Sequence, residues 1–72
     1  DERREALAVI AGDLGLDASA LRIESLIESR PAVFYDMPDG TTRSACSLDS
    51  ECWREALARG AAVRAIRQAK AH

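Results

Sequence analysis

The side chains able to do chemistry are few in this chain and poorly spaced for catalysis. Its single histidine, His72, is the last residue, and a chain end that frays is a poor place to hold a general base. Cys46 and Cys52 are separated by five residues. That matches neither the C-x-x-C redox spacing nor a zinc site, which needs a second Cys or His pair to complete a tetrahedral set. Cys52 is expected in the first turn of a helix, where the dipole lowers a thiol's pKa. The simpler reading of the pair is two small buried hydrophobes, with a disulfide left open. Asp36 and Asp39 flank a turn, and turn chemistry accounts for both. No phosphate-binding loop, dinucleotide fingerprint or G-x-S-x-G element occurs. The expectation is a chain with no catalytic residues, no metal ligands, no cofactor and no small-molecule substrate, which acts by binding.

The elements that must position a binding surface can be read from periodicity. Leu7, Ile10 and Leu14 recur at steps of three and four within Glu2 to Leu14, predicting an amphipathic helix that Gly15 terminates. Asp17 is placed to cap a second helix running to about Ser29, with Leu21, Ile23, Leu26 and Ile27 as its apolar members and Pro31 ending it. Two short extended runs, Ala32 to Asp36 and Thr41 to about Cys46, flank Met37-Pro38-Asp39-Gly40. This predicts a two-stranded antiparallel hairpin closed by Gly40, with Met37 opposite Thr41 and Tyr35 opposite Arg43. Ser47 or Asp49 would cap a long last helix, Ser50 to about Ala69, with Trp53, Leu57, Gly60, Val63 and Ile66 as its stripe. A glycine inside that stripe implies either a close approach by another backbone or a kink. The fold class expected is α+β, as one small domain over residues 1 to 72: two N-terminal helices, a hairpin and a long C-terminal helix.

Composition bounds the partner. With 72 residues and an apolar fraction of 47% that is rich in alanine, the core is thin, and self-association is a natural way to add burial. Ten basic residues against twelve acidic ones give a formal charge of -2, which is not the strongly basic balance of a nucleic-acid binder. The charges are unevenly spread: nine acids and four arginines precede Gly40, three acids and six basic residues follow Asp39, and nothing after Glu55 is acidic. No apolar run reaches the length of a membrane span and no signal-peptide pattern opens the chain. A soluble, cytoplasmic protein with no membrane partner is therefore expected.

The segment Ile10-Ala11-Gly12-Asp13-Leu14-Gly15-Leu16-Asp17-Ala18-Ser19-Ala20-Leu21 looks like a helix-turn-helix, with an alanine in the first helix, a glycine four residues on, and apolar residues before, between and after. The hairpin from Val33 to Ala45 would then stand where the wing of a winged-helix protein lies, so the resemblance spans Leu7 to Leu48. It implies DNA binding, with Ser19, Ala20 and Arg22 nearest the bases and Arg43 nearest a phosphate. In element order alone, Leu26 to Leu57 also resembles the small phage head-to-tail joining proteins, which implies an assembly role in a phage or mobile element.

The hairpin carries the local case for a protein partner. Alternation puts Val33, Tyr35 and Met37 on one face with Ala45, and Ala32 and Phe34 on the other with Cys46. Helices from so short a chain cover one face readily, so Phe34 or Tyr35 is expected to be exposed or in an interface. The function expected is a small adaptor or regulatory module that binds a protein, or a second copy of itself, through the hairpin and the last helix. Its aromatic anchor would be Phe34, Tyr35 or Trp53, with Arg54, Arg59, Arg64 and Arg67 available to pair with acidic groups. DNA binding is the alternative.

Overall fold

A computed structural model describes residues 2–27 and 30–70, with the side chains of Leu26 and Ile27 outside the description. The architecture is α+β: an N-terminal helix, a three-stranded antiparallel sheet and a C-terminal helix. Helix α1 covers Glu2–Leu14. Gly15, at φ +72°, ends it in a Schellman arrangement, with Leu16 N–H donating to the Ala11 carbonyl at 2.8 Å and Gly15 N–H to that of Gly12 at 3.2 Å.

The expected second helix does not form. Asp17 does cap, accepting from Ser19 N–H at 2.9 Å, but it caps a single 3-10 turn, Ala18–Ala20, after which Leu21–Ile27 runs as strand β1. Local pattern explains the correction. Leu21 and Ile23 alternate with Arg22 and Glu24, a period of two that puts both apolar side chains on one face only in an extended chain. The strand also gives β2, Arg30–Asp36, a partner, with Leu21 opposite Tyr35 and Ile23 opposite Val33. The segment is therefore no recognition helix. The proposed end of that helix at Ser29, and His72, lie outside the described residues.

Strand β3, Thr42–Ser47, completes the order β1-β2-β3. The β2–β3 turn matches expectation: Tyr35 pairs with Arg43, Met37 N–H donates to the Thr41 carbonyl at 2.7 Å, and Gly40 sits at φ +90°. Asp39 Oδ1 accepts from Thr41 N–H at 3.0 Å and from its hydroxyl at 2.6 Å. The facing pattern of β3 needs a correction. Val33 pairs with Cys46 but Phe34 with Ser44, so Ala45 is the extra residue of a bulge and Cys46 turns to the face of Val33.

Helix α2, Glu51–Lys70, is capped by Ser50, whose Oγ accepts from Trp53 N–H at 3.4 Å and donates to the Ser47 carbonyl at 2.6 Å. Ala6, Ile10 and Ala11 of α1, Trp53 and Ala56 of α2, and Leu21, Val33 and Cys46 of the sheet form the core. None of the three aromatics expected as anchors is fully exposed. Trp53 is only 5% exposed in that core, and Tyr35 is half-buried against it. Phe34 is buried outside the core cluster, in the central strand between Arg22 of β1 and Ser44 of β3. The unanticipated third strand is what flanks it.

A polar clasp ties all three strands together. The Arg22 guanidinium donates twice to Asp36, at 2.8 and 3.1 Å, and the Thr42 hydroxyl donates to the same carboxylate at 2.8 Å. The Arg22 bond first, and then that from Thr42, hold the Asp36 carboxyl below its ordinary 3.8.

Gly60 settles the choice between kink and close approach. A Cβ there would lie 3.0 Å from Glu5 Cβ, 3.1 Å from the Glu5 carbonyl carbon and 3.2 Å from the Ala6 nitrogen, so the α2 backbone rests directly on α1. Gly60→Ala should lower stability by a net of about 1–2 kcal/mol, since overpacking outweighs the gain in helix propensity; chemical denaturation of the two proteins measures it, and an unchanged or raised stability would contradict the close contact. The clasp yields a pH prediction. A carboxyl whose folded pKa is depressed adds stability above its unfolded pKa, here the ordinary 3.8, and that stability is lost as pH falls through the lower folded value. Asp36→Asn should therefore lower the urea midpoint at about pH 7 and narrow the gap to wild type at about pH 2, and an equal gap at both would exclude the clasp as a source of stability.

Candidate protein-binding surface

Helices α1 and α2 run antiparallel, since later residues of α2 meet earlier residues of α1. Arg59 donates to Asp13 at 2.7 and 3.2 Å, Gly60 rests on Glu5 and Ala6, and Arg64 Nη1 lies 3.3 Å from Glu5 Oε1. Hydrogen bonding from Arg59, more than its charge, lowers the Asp13 carboxyl. Glu5 Oε1 is buried and has Arg64 as its ion-pair partner, without the alignment of a hydrogen bond. A groove follows the helix pair, lined by Ala8, Val9 and Gly12 of α1 and by Gly60 and Val63 of α2, with Arg4 and Arg67 also in its lining.

The remainder of α2 extends past this contact. Its buried residues, Trp53, Ala56 and Gly60, belong to the first half of the helix. Beyond Arg64, Ile66 is 56% exposed, and Val63 beside the groove is 42% exposed. The stripe expected to be apolar along its whole length is therefore core up to Gly60 and surface afterwards. The reason is length: α1 has 13 residues and α2 has 20, so the last turns of α2 find no helix beside them.

The arginines expected to serve a partner divide into two groups. Arg59 and Arg64 hold α1, and Arg54 lies 3.4 Å from Glu51 in an exposed i,i+3 pair of little energetic weight. Arg67 is exposed and makes no ion pair among the described residues. Of the residues assigned to DNA, Ser19 donates its hydroxyl to Asp17, Ala20 ends the 3-10 turn, Arg22 is engaged by Asp36 and Glu24, and Arg43 is exposed on β3. They do not converge on a recognition helix.

Cys46 is buried and its thiol is pushed up to about 12, by burial first and then by the neighbouring Cys52 thiol, so it stays protonated at neutral pH. Cys52 is exposed, which corrects the reading of two buried hydrophobes; both cysteines are free thiols. Among the described residues no group of three or more His, Cys, Asp or Glu side chains could hold a metal ion, and no helix is long and apolar enough to cross a membrane.

Sequence reasoning passed over the outward side of α2. Ala58, Ala62, Ala65 and Ala69 are all exposed and recur at steps of four, three and four. That spacing is readable in the sequence, but alanine contributes so little area that the Trp53 stripe eclipses it.

Comparison with known proteins adds one relationship. No family model matches the chain, and no solved structure matches it. Protein KleF of Escherichia coli is 56% identical to it over 68 residues, which is 94% of this chain but only 38% of KleF. The chain thus spans well under half the length of the curated relative to which it is similar.

Proposed function

We propose that this chain is a protein-binding adaptor or regulatory module that works without chemistry of its own, and that its contact surface is the second half of α2 together with the groove beside it. One observation carries the reading: Val63 and Ile66, 42% and 56% exposed, occupy the stretch of α2 that its own fold leaves uncovered. Large apolar side chains grouped on a helix beside an exposed arginine, Arg67, are the composition of an interface centre and its edge. The hairpin, whose aromatics are buried or half-buried, has no comparable apolar exposure.

The test compares capture by immobilised wild type and by the double variant Val63→Asp, Ile66→Asp. Both positions are exposed, so far-ultraviolet circular dichroism should be unchanged. A protein held by wild type should bind the variant at least about 100-fold more weakly, the scale of losing an interface hot spot. Equal retention by the two would place the contact surface elsewhere.

A further inference from the structure

Resting on that reading, we infer that the partner presents an acidic amphipathic helix, seated in the groove between α1 and α2 with its carboxylates against Arg4 and Arg67. The groove has a volume of about 490 Å³, within the roughly 300–1,000 Å³ of sites that enclose a ligand. Its lining is small or apolar on both sides, with Ala8 and Gly12 one turn apart on α1 and Gly60 and Val63 on α2. Ile66, 56% exposed, stands three residues beyond Val63, so the two are neighbours on the helix surface and continue the apolar strip.

Charge selects the occupant. Three of the charged side chains in the lining are already matched within the chain: Arg59 donates to Asp13 at 2.7 Å, and Glu5 lies 3.3 Å from Arg64. Arg4 and Arg67 line the same groove, are exposed, and make no ion pair among the described residues. Arg4 precedes Glu5 on α1 and Arg67 follows Gly60 on the antiparallel α2, so both stand on the same side of the contact between Glu5 and Gly60. The pair of Asp13 and Arg59 belongs to the other side. Two uncompensated cations on one side repel each other, and a carboxylate brought between them turns that repulsion into attraction.

The shape selects a helix. A groove between two antiparallel helices runs along their axes, and a third helix laid in it offers apolar side chains at i, i+3, i+4 and i+7. Those side chains meet Val9, Val63 and Ile66, while acids at the edge of the same face meet the two arginines. Duplex DNA is the poorer match, because the chain carries a formal charge of -2 and two cations beside an apolar groove neutralise few phosphates.

Fluorescence anisotropy of labelled synthetic helices, titrated with the full chain, tests the inference. The two probes share leucines at i, i+3, i+4 and i+7 and differ only in carrying glutamate or lysine beside that stripe. Wild type should bind the glutamate probe at least about tenfold more tightly than the lysine probe. The variant R4E/R67E changes two exposed positions and should reverse the preference with unchanged circular dichroism; such a gain of binding is not the behaviour of a misfolded protein. No binding of the glutamate probe up to about 1 mM, equal binding of the two probes by wild type, or a preference that survives R4E/R67E overturns the acidic helix. Self-association in sedimentation equilibrium that R4E/R67E abolishes gives the groove to a second copy of the chain and overturns it as well. The protein-binding reading fails separately: a V63D/I66D variant that retains the wild-type partner removes the surface itself, whatever the probes' charge preference.

Discussion

The contact of Gly60 with Glu5 and Ala6 governs the rest of the molecule. Because no side chain stands between the two backbones there, α2 lies against α1 at a distance that would crowd a Cβ at 3.0–3.2 Å from Glu5 and Ala6. The crossing seats Ala6 and Ala56 in the core, where a thin set of small side chains gains full burial by proximity more than by size. The ion pairs on either side, Arg59 with Asp13 and Arg64 with Glu5, then fix how far α2 slides along α1. With that register set, the unequal helix lengths leave the last turns of α2 projecting, and the exposed Val63 and Ile66 follow from it.

The sheet plays the complementary part. Its inner face supplies Leu21, Val33 and Cys46 to the helices, and the bulge at Ala45 brings Cys46 into that set. The outer face is held by the Arg22, Asp36 and Thr42 clasp, which joins three strands through one carboxylate. Clasp and bulge both serve stability, so they give no sign of a ligand site on the sheet. The most exposed large apolar side chain among the described residues, Ile66 at 56%, is helical.

Much of the fold was legible in the sequence because local signals and tertiary needs agreed. Helix α1 has the bounds its periodicity gives, Gly15 and Gly40 occupy the left-handed positions expected of them, and Tyr35 pairs with Arg43. The segment from Leu21 to Ile27 was misread because a capping Asp17 is a real signal that here governs only one 3-10 turn, and the alternation of Leu21 and Ile23 outweighs it. The site was less legible. Trp53, Phe34 and Tyr35 are conspicuous as types, but burial is decided by the third strand and the Gly60 crossing, neither of which the sequence displays directly. Arg59 and Arg64 found their carboxylates within the chain, and which arginines remain unpaired depends on that same helix register.

Hydrogen exchange resolved along α2 addresses the central claim most directly. The amides from Ala56 to Gly60, anchored against α1, should exchange slowly, while those from Ala65 to Ala69 should exchange orders of magnitude faster, as in an uncovered helix end. Protection over Ala65 to Ala69 equal to that over Ala56 to Gly60 in a dilute, monomeric chain would contradict a projecting, uncovered end of α2.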